Sequence, residues 1–388
     1  MASKSNRIII TVSSLILGIA LVFALTKLSH TSRGPIDRIL VSFESTVRDI
    51  EEKSILEQRT TTRNKKLLWL KKYNQNINQL KNPKSILIGA FDNHAITNFK
   101  PIFSLEDSLG TTFPLIHIYT AWGSESTQAF PTKQIQDIKD LGSIPVVTWE
   151  PWLTAFVEER EPKLRPLKNR DKNGLIDVAN GVYDFYLKTW AQSAKEAKTP
   201  IFLRLAHEMN DPYRYPWGPQ NNNAKDFVLA WKHVHDLFQK QGATNVIWIW
   251  APHPAYGFIQ DYYPGSEYVD FIGVGTLNYG PVVNWGKWWS FDEIFGDHYD
   301  KVAPFKKPII LAEFASLSYG GDRAKWYNDA LRDIPKKYPL VKGILLFNFD
   351  ADNTTTRQVL NWSIINDKKV LKTIQENVKK WNDSIHLK

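Results

Sequence analysis

Two short apolar runs decide how this chain is read: Ile201-Phe202-Leu203-Arg204-Leu205-Ala206-His207-Glu208 and Pro308-Ile309-Ile310-Leu311-Ala312-Glu313. Each has the length and composition of a buried strand, and each ends on a glutamate. A carboxylate at the end of a buried strand is costly to desolvate, so it needs a partner or a chemical task.

Outward from these runs, the chain from residue 83 alternates strand and helix. Eight strand candidates fall at 86–91, 115–119, 144–149, 201–207, 245–250, 269–274, 308–313 and 342–348. Helical stretches such as 224–241, with Gly242 as a stop, and 323–334 lie between them. Eight β/α units over about 300 residues predict a (β/α)8 TIM barrel. A doubly wound open sheet is the alternative, but no Gly-x-Gly-x-x-Gly turn follows an early strand.

The first 82 residues differ. They carry 14 Lys and Arg against 6 Asp and Glu, whereas residues 83–388 carry 35 against 34. Of the net charge of +9, +8 therefore resides in the N-terminal part, and the nearly neutral remainder argues against nucleic acid as a partner. Ile8–Leu25 is uncharged over 18 residues. It is longer than a usual signal-peptide core, so residues 1–27 are expected to be an uncleaved membrane anchor, with a cleaved signal peptide as the alternative. Residues 28–82 read as a basic helical stalk, and 83–388 as the catalytic domain. That order places the barrel outside the cytoplasm, tethered to the membrane, or secreted if the segment is cleaved. Without any Cys, disulfides and thiolate metal sites are excluded.

The C-terminal strand ends of such a barrel form its active face. There the chain gathers aromatic residues and acids: Tyr119 and Trp122, Trp149-Glu150-Pro151-Trp152, His207-Glu208-Met209-Asn210 followed by Tyr213, Tyr215 and Trp217, Trp248 and Trp250, Asn278-Tyr279 with Trp285, Trp288 and Trp289, Glu313-Phe314, and Phe347-Asn348-Phe349-Asp350. Fifteen Trp are more than a core of this size demands, and flat rings stack on sugar faces. Paired carboxylates facing one another across the mouth suit cleavage of a glycosidic bond. No second His follows His207 at the spacing of a zinc helix, and no phosphate loop or nucleophile elbow is present, so neither metal nor cofactor is expected.

Several blocks resemble glycoside hydrolase family 26. Leu203–Asn210 followed by Tyr215-Pro216-Trp217-Gly218 is similar to that family's acid/base motif. Asn284-Trp285-Gly286, Trp289–Phe295 and Lys307–Phe314 resemble its later blocks. The resemblance implies a (β/α)8 barrel and a retaining endo-β-glycanase acting on β-1,4-linked mannan or mixed-linkage glucan. It implies Glu208 as acid/base and Glu313 as nucleophile, with Arg204 supporting the nucleophile and His207 shaping the adjacent sugar site. Trp217 would line the cleft, with Tyr215, Tyr279, Trp285, Trp149 and Trp250 as further substrate-binding candidates. Two positions depart from the family pattern. Leu277 stands where a Tyr contacting the nucleophile is expected, leaving Tyr279 as its substitute, and Leu346 stands where a Trp forms a stacking floor. These departures, with the anchor, motivate the alternative of a non-hydrolytic or weakly hydrolytic, membrane-tethered glycan-binding protein working with polysaccharide-synthesis machinery.

Overall fold

The computed structural model describes residues 18, 54–95, 98–284, 286–356 and 358–386. They fall into two units, residues 1–58 and 59–388. In the first, residues 54–58 are helical. The expected anchor, apart from Gly18, and residues 28–53 of the expected stalk lie outside the described residues, as does Trp285. Among the described residues, no helix is long and apolar enough to cross a membrane.

The second unit is a closed barrel of eight parallel strands in sequence order. The strands are β1 (Leu87–Asp92), β2 (Leu115–Ala121), β3 (Ile144–Glu150), β4 (Ile201–Leu205), β5 (Val246–Trp250), β6 (Phe271–Asn278), β7 (Ile309–Ser316) and β8 (Val341–Asn348). β1 pairs with β8 over six residues and closes the ring. Side chains alternate along each strand. Leu87, Leu115, Val146, Phe202, Ile247, Ile310 and Leu345 therefore meet in one buried cluster, while the intervening residues face the helices.

The barrel unit begins earlier than residue 83. Leu70, Tyr73 and Leu80, expected in the stalk, join that same interior cluster. Arg63 is buried and paired with buried Glu106. Its guanidinium also donates to Ser143 Oγ at 2.6 Å and to the carbonyls of Leu141 and Phe113. From Arg59 onward the chain is thus part of the barrel unit, and its periodic apolar residues cover strand side chains rather than form a free-standing helix.

One irregularity positions the chemistry. β6 and β7 pair as Gly273 with Ile310 and Val274 with Leu311, but then Gly275 pairs with Glu313 and Ala312 is left over. Ile310 points inward, so a regular strand would turn Ala312 inward and Glu313 out. The extra residue reverses the phase and brings Glu313 to the barrel axis.

A buried ion pair that loses one partner leaves an uncompensated charge, which destabilises a fold by about 3–5 kcal/mol. Arg63→Met is expected to lower unfolding free energy by that amount in urea titration. A chain beginning at Asn82 is expected to be less stable than one that retains Arg59–Leu80.

Candidate active site

Glu313 Oε1 accepts two hydrogen bonds, from Arg204 Nη2 at 2.6 Å and from Tyr119 Oη at 2.8 Å. Arg204 also donates to Tyr119 Oη at 3.0 Å and, through Nε, to Thr148 Oγ1 at 2.8 Å. Thr148 Oγ1 lies 2.7 Å from His117 Nε2. Inward positions of β2, β3, β4 and β7 thus form one chain ending at the Glu313 carboxylate. Burial alone would push Glu313 upward, but the Arg204 charge and the two hydrogen bonds outweigh it and hold the carboxyl below its ordinary range. Burial raises Tyr119 well above its usual value, so the phenol keeps its proton and donates it.

Glu208 follows a different backbone. β4 ends at Leu205, and both Ala206 (φ 44°) and Glu208 (φ 54°) are left-handed, a conformation that costs an L-residue about 1–2 kcal/mol. Tertiary hydrogen bonds impose it: Ala206 N–H donates to Trp149 O at 3.0 Å and Glu208 N–H to Ala251 O at 2.6 Å. Asn210 bolts the same loop to the one after β5. Its amide donates to the His253 and Tyr256 carbonyls and its oxygen accepts from His253 N–H at 2.7 Å.

The Glu208 carboxylate is buried, and its Oε2 has no hydrogen-bond partner. Desolvation first, and then the negative charge of Glu313, raise it to about 7. Arg214, with Nη1 3.8 Å from Oε2, moderates the rise. The two acids converge over Gly275, where an added Cβ would lie 3.6 Å from Glu208 Oε1 and 3.9 Å from Glu313 Oε2.

His207 supports the loop. Burial holds it neutral, its Nε2 lies 2.9 Å from Tyr215 Oη, and Trp217 Nε1 donates to its carbonyl at 2.8 Å. Tyr215 and Trp217 stack with ring centroids 4.6 Å apart. A third acid, Glu150, accepts from Trp152 Nε1 at 2.9 Å and is raised by burial.

Several expected roles change. Trp217 is almost fully buried and braces His207 and Tyr215 rather than lining an open cleft. Trp149 and Trp250 lie on the helix-facing side of their strands. Trp149 stacks on Trp190 at 4.2 Å, and Trp250 donates to Tyr262 O at 3.0 Å. Alternation explains both, since Thr148 and Ile249 take the inward positions.

Tyr279 does not make the contact to Glu313 that was expected of it. Its hydroxyl lies 3.3 Å from Thr355 Oγ1, and Tyr119, on the far side of the barrel axis, supplies the contact instead. Leu346 is buried one position out of phase with the interior, and Phe347 occupies the mouth, stacked on Phe91 at 5.4 Å. Tyr119 and Gly275 are the site residues that motif reading passed over. Tyr119 stands visibly at a strand end, whereas the role of Gly275 depends on the register shift.

Among the described residues, Glu208, Asp211 and His253 are the group whose ligand atoms lie within 4.8 Å of one another. Asp211 Oδ1 accepts from Tyr213 N–H and His253 Nδ1 from Ala255 N–H, so both groups have lone pairs turned to the backbone. The neighbouring Arg214 cation also opposes a metal ion there.

Residues 176–359 match the profile of Glycosyl hydrolase family 26. The matched stretch, which contains both Glu208 and Glu313, belongs to this family. It is 30% identical over 286 residues to Endoglucanase H of Acetivibrio thermocellus, covering 71% of this chain and 29% of that protein. It is 25% identical over 165 residues to the Mannan endo-1,4-beta-mannosidase of Bacillus subtilis, covering 40% and 41% of the two chains. Both relatives are thus matched over less than half their length. Among solved structures, the GH26C protein of a Muricauda species superposes with a TM-score of 0.56 at 16% identity, covering 78% of this chain and 87% of that one, a likeness of fold.

Alanine at Gly275 places a methyl group between the two carboxylates at ordinary van der Waals distance. Gly275→Ala is expected to leave the thermal melting temperature within a few degrees of the parent. It is also expected to abolish oligosaccharide binding in calorimetric titration.

Proposed function

We propose that this protein is a retaining endo-β-glycanase for β-1,4-linked mannan or mixed-linkage glucan, with Glu313 as nucleophile and Glu208 as acid/base. One observation carries the reading. Two glutamates converge on one small volume, and their surroundings drive them to opposite protonation states. Paired acids so divided are what double displacement at an anomeric carbon requires.

In the first step ionised Glu313 attacks the anomeric carbon while Glu208 gives its proton to the departing glycosidic oxygen. The carbon–oxygen bond of the linkage breaks and an ester to Glu313 forms. Esterification removes the negative charge beside Glu208, so its proton affinity falls. In the second step Glu208 takes a proton from water as the water oxygen attacks the anomeric carbon. The ester bond breaks, Glu313 leaves as a carboxylate, and Glu208 is again protonated. Two inversions leave the β-configuration unchanged. Arg204 and Tyr119 keep Glu313 ionised beforehand and stabilise it as it re-forms.

The family relatives support an endo-acting β-glycanase, and the neutral balance of residues 83–388 suits an uncharged polymer. We also place the barrel outside the cytoplasm, tethered by Ile8–Leu25, a reading that rests on hydropathy alone. Cell fractionation with and without that segment tests it.

Leaving-group dependence tests the residue roles. Glu208→Ala is expected to cleave polymer about 10²–10⁴-fold more slowly. With a dinitrophenyl β-glycoside, whose leaving group needs no proton, it should still form a glycosyl-enzyme that mass spectrometry detects. Glu313→Ala should form none with either substrate. Equal losses of glycosyl-enzyme in both variants would contradict the assignment.

The rate should also follow the two carboxyls. Glu208 must be protonated, so kcat/KM falls as pH rises through about 7. Glu313 must be ionised, so the acid limb lies below the ordinary carboxylate range. Arg214→Gln removes a cation that favours ionised Glu208, and the alkaline limb is expected to move to higher pH in a kcat/KM profile.

A further inference from the structure

The barrel has a second end, which the chemistry at the mouth does not use. All eight strands run in one direction, so the segments that precede them gather at the end opposite the mouth. That base is plugged by the chain just upstream of β1. A single helical turn (Leu68–Leu70) and a short helix (Lys71–Gln75) send Leu70 and Tyr73 into the interior cluster, with Leu87, Leu115 and Ile144 from the starts of β1, β2 and β3.

Because Leu70 and Tyr73 point inward, their neighbours point out. Leu68 is 57% exposed and Trp69 is 40% exposed. Lys65 and Lys66 before them, and Lys71 and Lys72 after them, are exposed as well. Trp69 meets the Tyr73 ring edge-on at 6.1 Å, which orients the indole without covering it.

The loops at this end add charge of the same sign. Lys84, Lys198 and Lys306 stand exposed in the segments before β1, β4 and β7. The acids in the segments leading into the strands are Glu267 and Asp270, ahead of β6. Asp270 is already paired with Lys81 at 3.0 Å, and at the rim Asp107 accepts from Arg59 at 2.7 Å. Acids therefore do not offset the exposed lysines of the base.

The combination selects a partner. Lysines alone suit any polyanion, dissolved or not. A leucine and a tryptophan laid open between lysines suit the boundary of a bilayer. There an indole sits at headgroup level, an aliphatic side chain enters the edge of the hydrocarbon, and ammonium groups meet lipid phosphates. Exposed apolar side chains rimmed by polar ones mark this kind of contact.

We propose that the base of the barrel docks on an anionic phospholipid surface. Leu68 and Trp69 enter the interface, and Lys65, Lys66, Lys71 and Lys72 lie over the phosphates. Docked in this way, the barrel stands on the membrane with Glu208 and Glu313 at its far end, open to the surrounding solution. This docking needs neither hydrolysis nor the Ile8–Leu25 tether. It supplies an orientation that a tether alone does not impose.

The chain contains no cysteine, so one introduced thiol carries a reporter at a single place. The full-length protein is labelled with a nitrobenzoxadiazole group at Leu68→Cys on the base, or at Tyr319→Cys, an exposed site in the loop after β7. Each is mixed with vesicles of phosphatidylcholine alone or of equal parts phosphatidylcholine and phosphatidylglycerol. With the anionic vesicles the Leu68→Cys label is expected to brighten, shift to the blue and be quenched by nitroxide-labelled lipid, while the Tyr319→Cys label stays aqueous. Adding Lys71→Gln and Lys72→Gln to Leu68→Cys is expected to lower the ratio of docked to undocked protein about 25-fold, at about fivefold per lysine. Circular dichroism melting of each variant checks that the fold is retained.

An aqueous Leu68→Cys label in anionic vesicles would overturn the proposal. So would equal responses at the two labelled sites, or equal responses in anionic and uncharged vesicles. Capture of the protein by dissolved dextran sulfate without any lipid response assigns the lysines to a soluble polyanion and also overturns it. A high-salt wash separates docking from a membrane-spanning tether. It is expected to return the Leu68→Cys label to water whether or not the protein stays with the vesicles.

Discussion

The ion pair between Arg204 and Glu313 is the constraint on which the rest of the site depends. Both partners are buried, and an unpaired charge at either position would be severely destabilising. Arg204 does not titrate in any accessible range, so its positive charge is permanent and Glu313 must answer it. That negative charge in turn acts on Glu208, which lies in the same desolvated volume and lacks a hydrogen-bond partner of its own. One cation therefore makes two chemically identical residues different. It holds one as a base and, by way of that base, favours the other as an acid. His117 and Thr148, with no contact to the reacting volume, matter because they fix the guanidinium from behind.

The regular barrel would not deliver this arrangement. Its alternation would turn Glu313 toward the helices, and its parallel strands would carry His207 and Glu208 past the mouth. Departures from ideal geometry correct both. The extra residue at Ala312 inverts the phase of β7, and two left-handed residues bend the chain out of β4. Gly275, opposite the bulge, contributes the absence of a side chain and leaves room above the strand beside the two carboxylates. Local strain is concentrated around the two carboxylates and is held there by backbone hydrogen bonds to β3 and to Ala251, just past β5.

These departures also explain what could be read in advance. Strand positions were legible because eight apolar runs between helical stretches have few other solutions, and each observed strand lies within a few residues of its expected span. The two glutamates were legible because each ends a buried run. The phase of each strand was not. Trp149 and Trp250 stand at strand ends in the text, yet only their inward neighbours Thr148 and Ile249 face the axis. Tyr279 was offered the nucleophile contact because it is near in sequence to the position occupied by Leu277. The contact comes from Tyr119, about half the domain away in the chain, by a closeness that only ring closure creates. The N-terminal boundary was obscured for a related reason. Helical periodicity in 59–80 is the same whether the apolar face closes the end of a barrel or belongs to a detached stalk.

The loop that carries Glu208 holds both signs of charge, and each acts on its carboxyl. Asp211 raises the proton affinity of Glu208 and Arg214 lowers it, and they lie three and six residues along the same loop. Arg214 is itself held from across the mouth, since its Nη2 donates to Thr354 Oγ1 at 2.8 Å in the loop after β8, while its guanidinium lies over the Tyr215 ring. Acidity at Glu208 is therefore set by a contact between loops on opposite sides of the barrel. Under the proposed function, a glycan chain lying between those loops would exclude water from these charges and strengthen each interaction. The free site already holds Glu208 near the middle of the physiological range, where a proton can be given in one step and taken back in the next. Balanced charges, and not burial alone, hold Glu208 in that range.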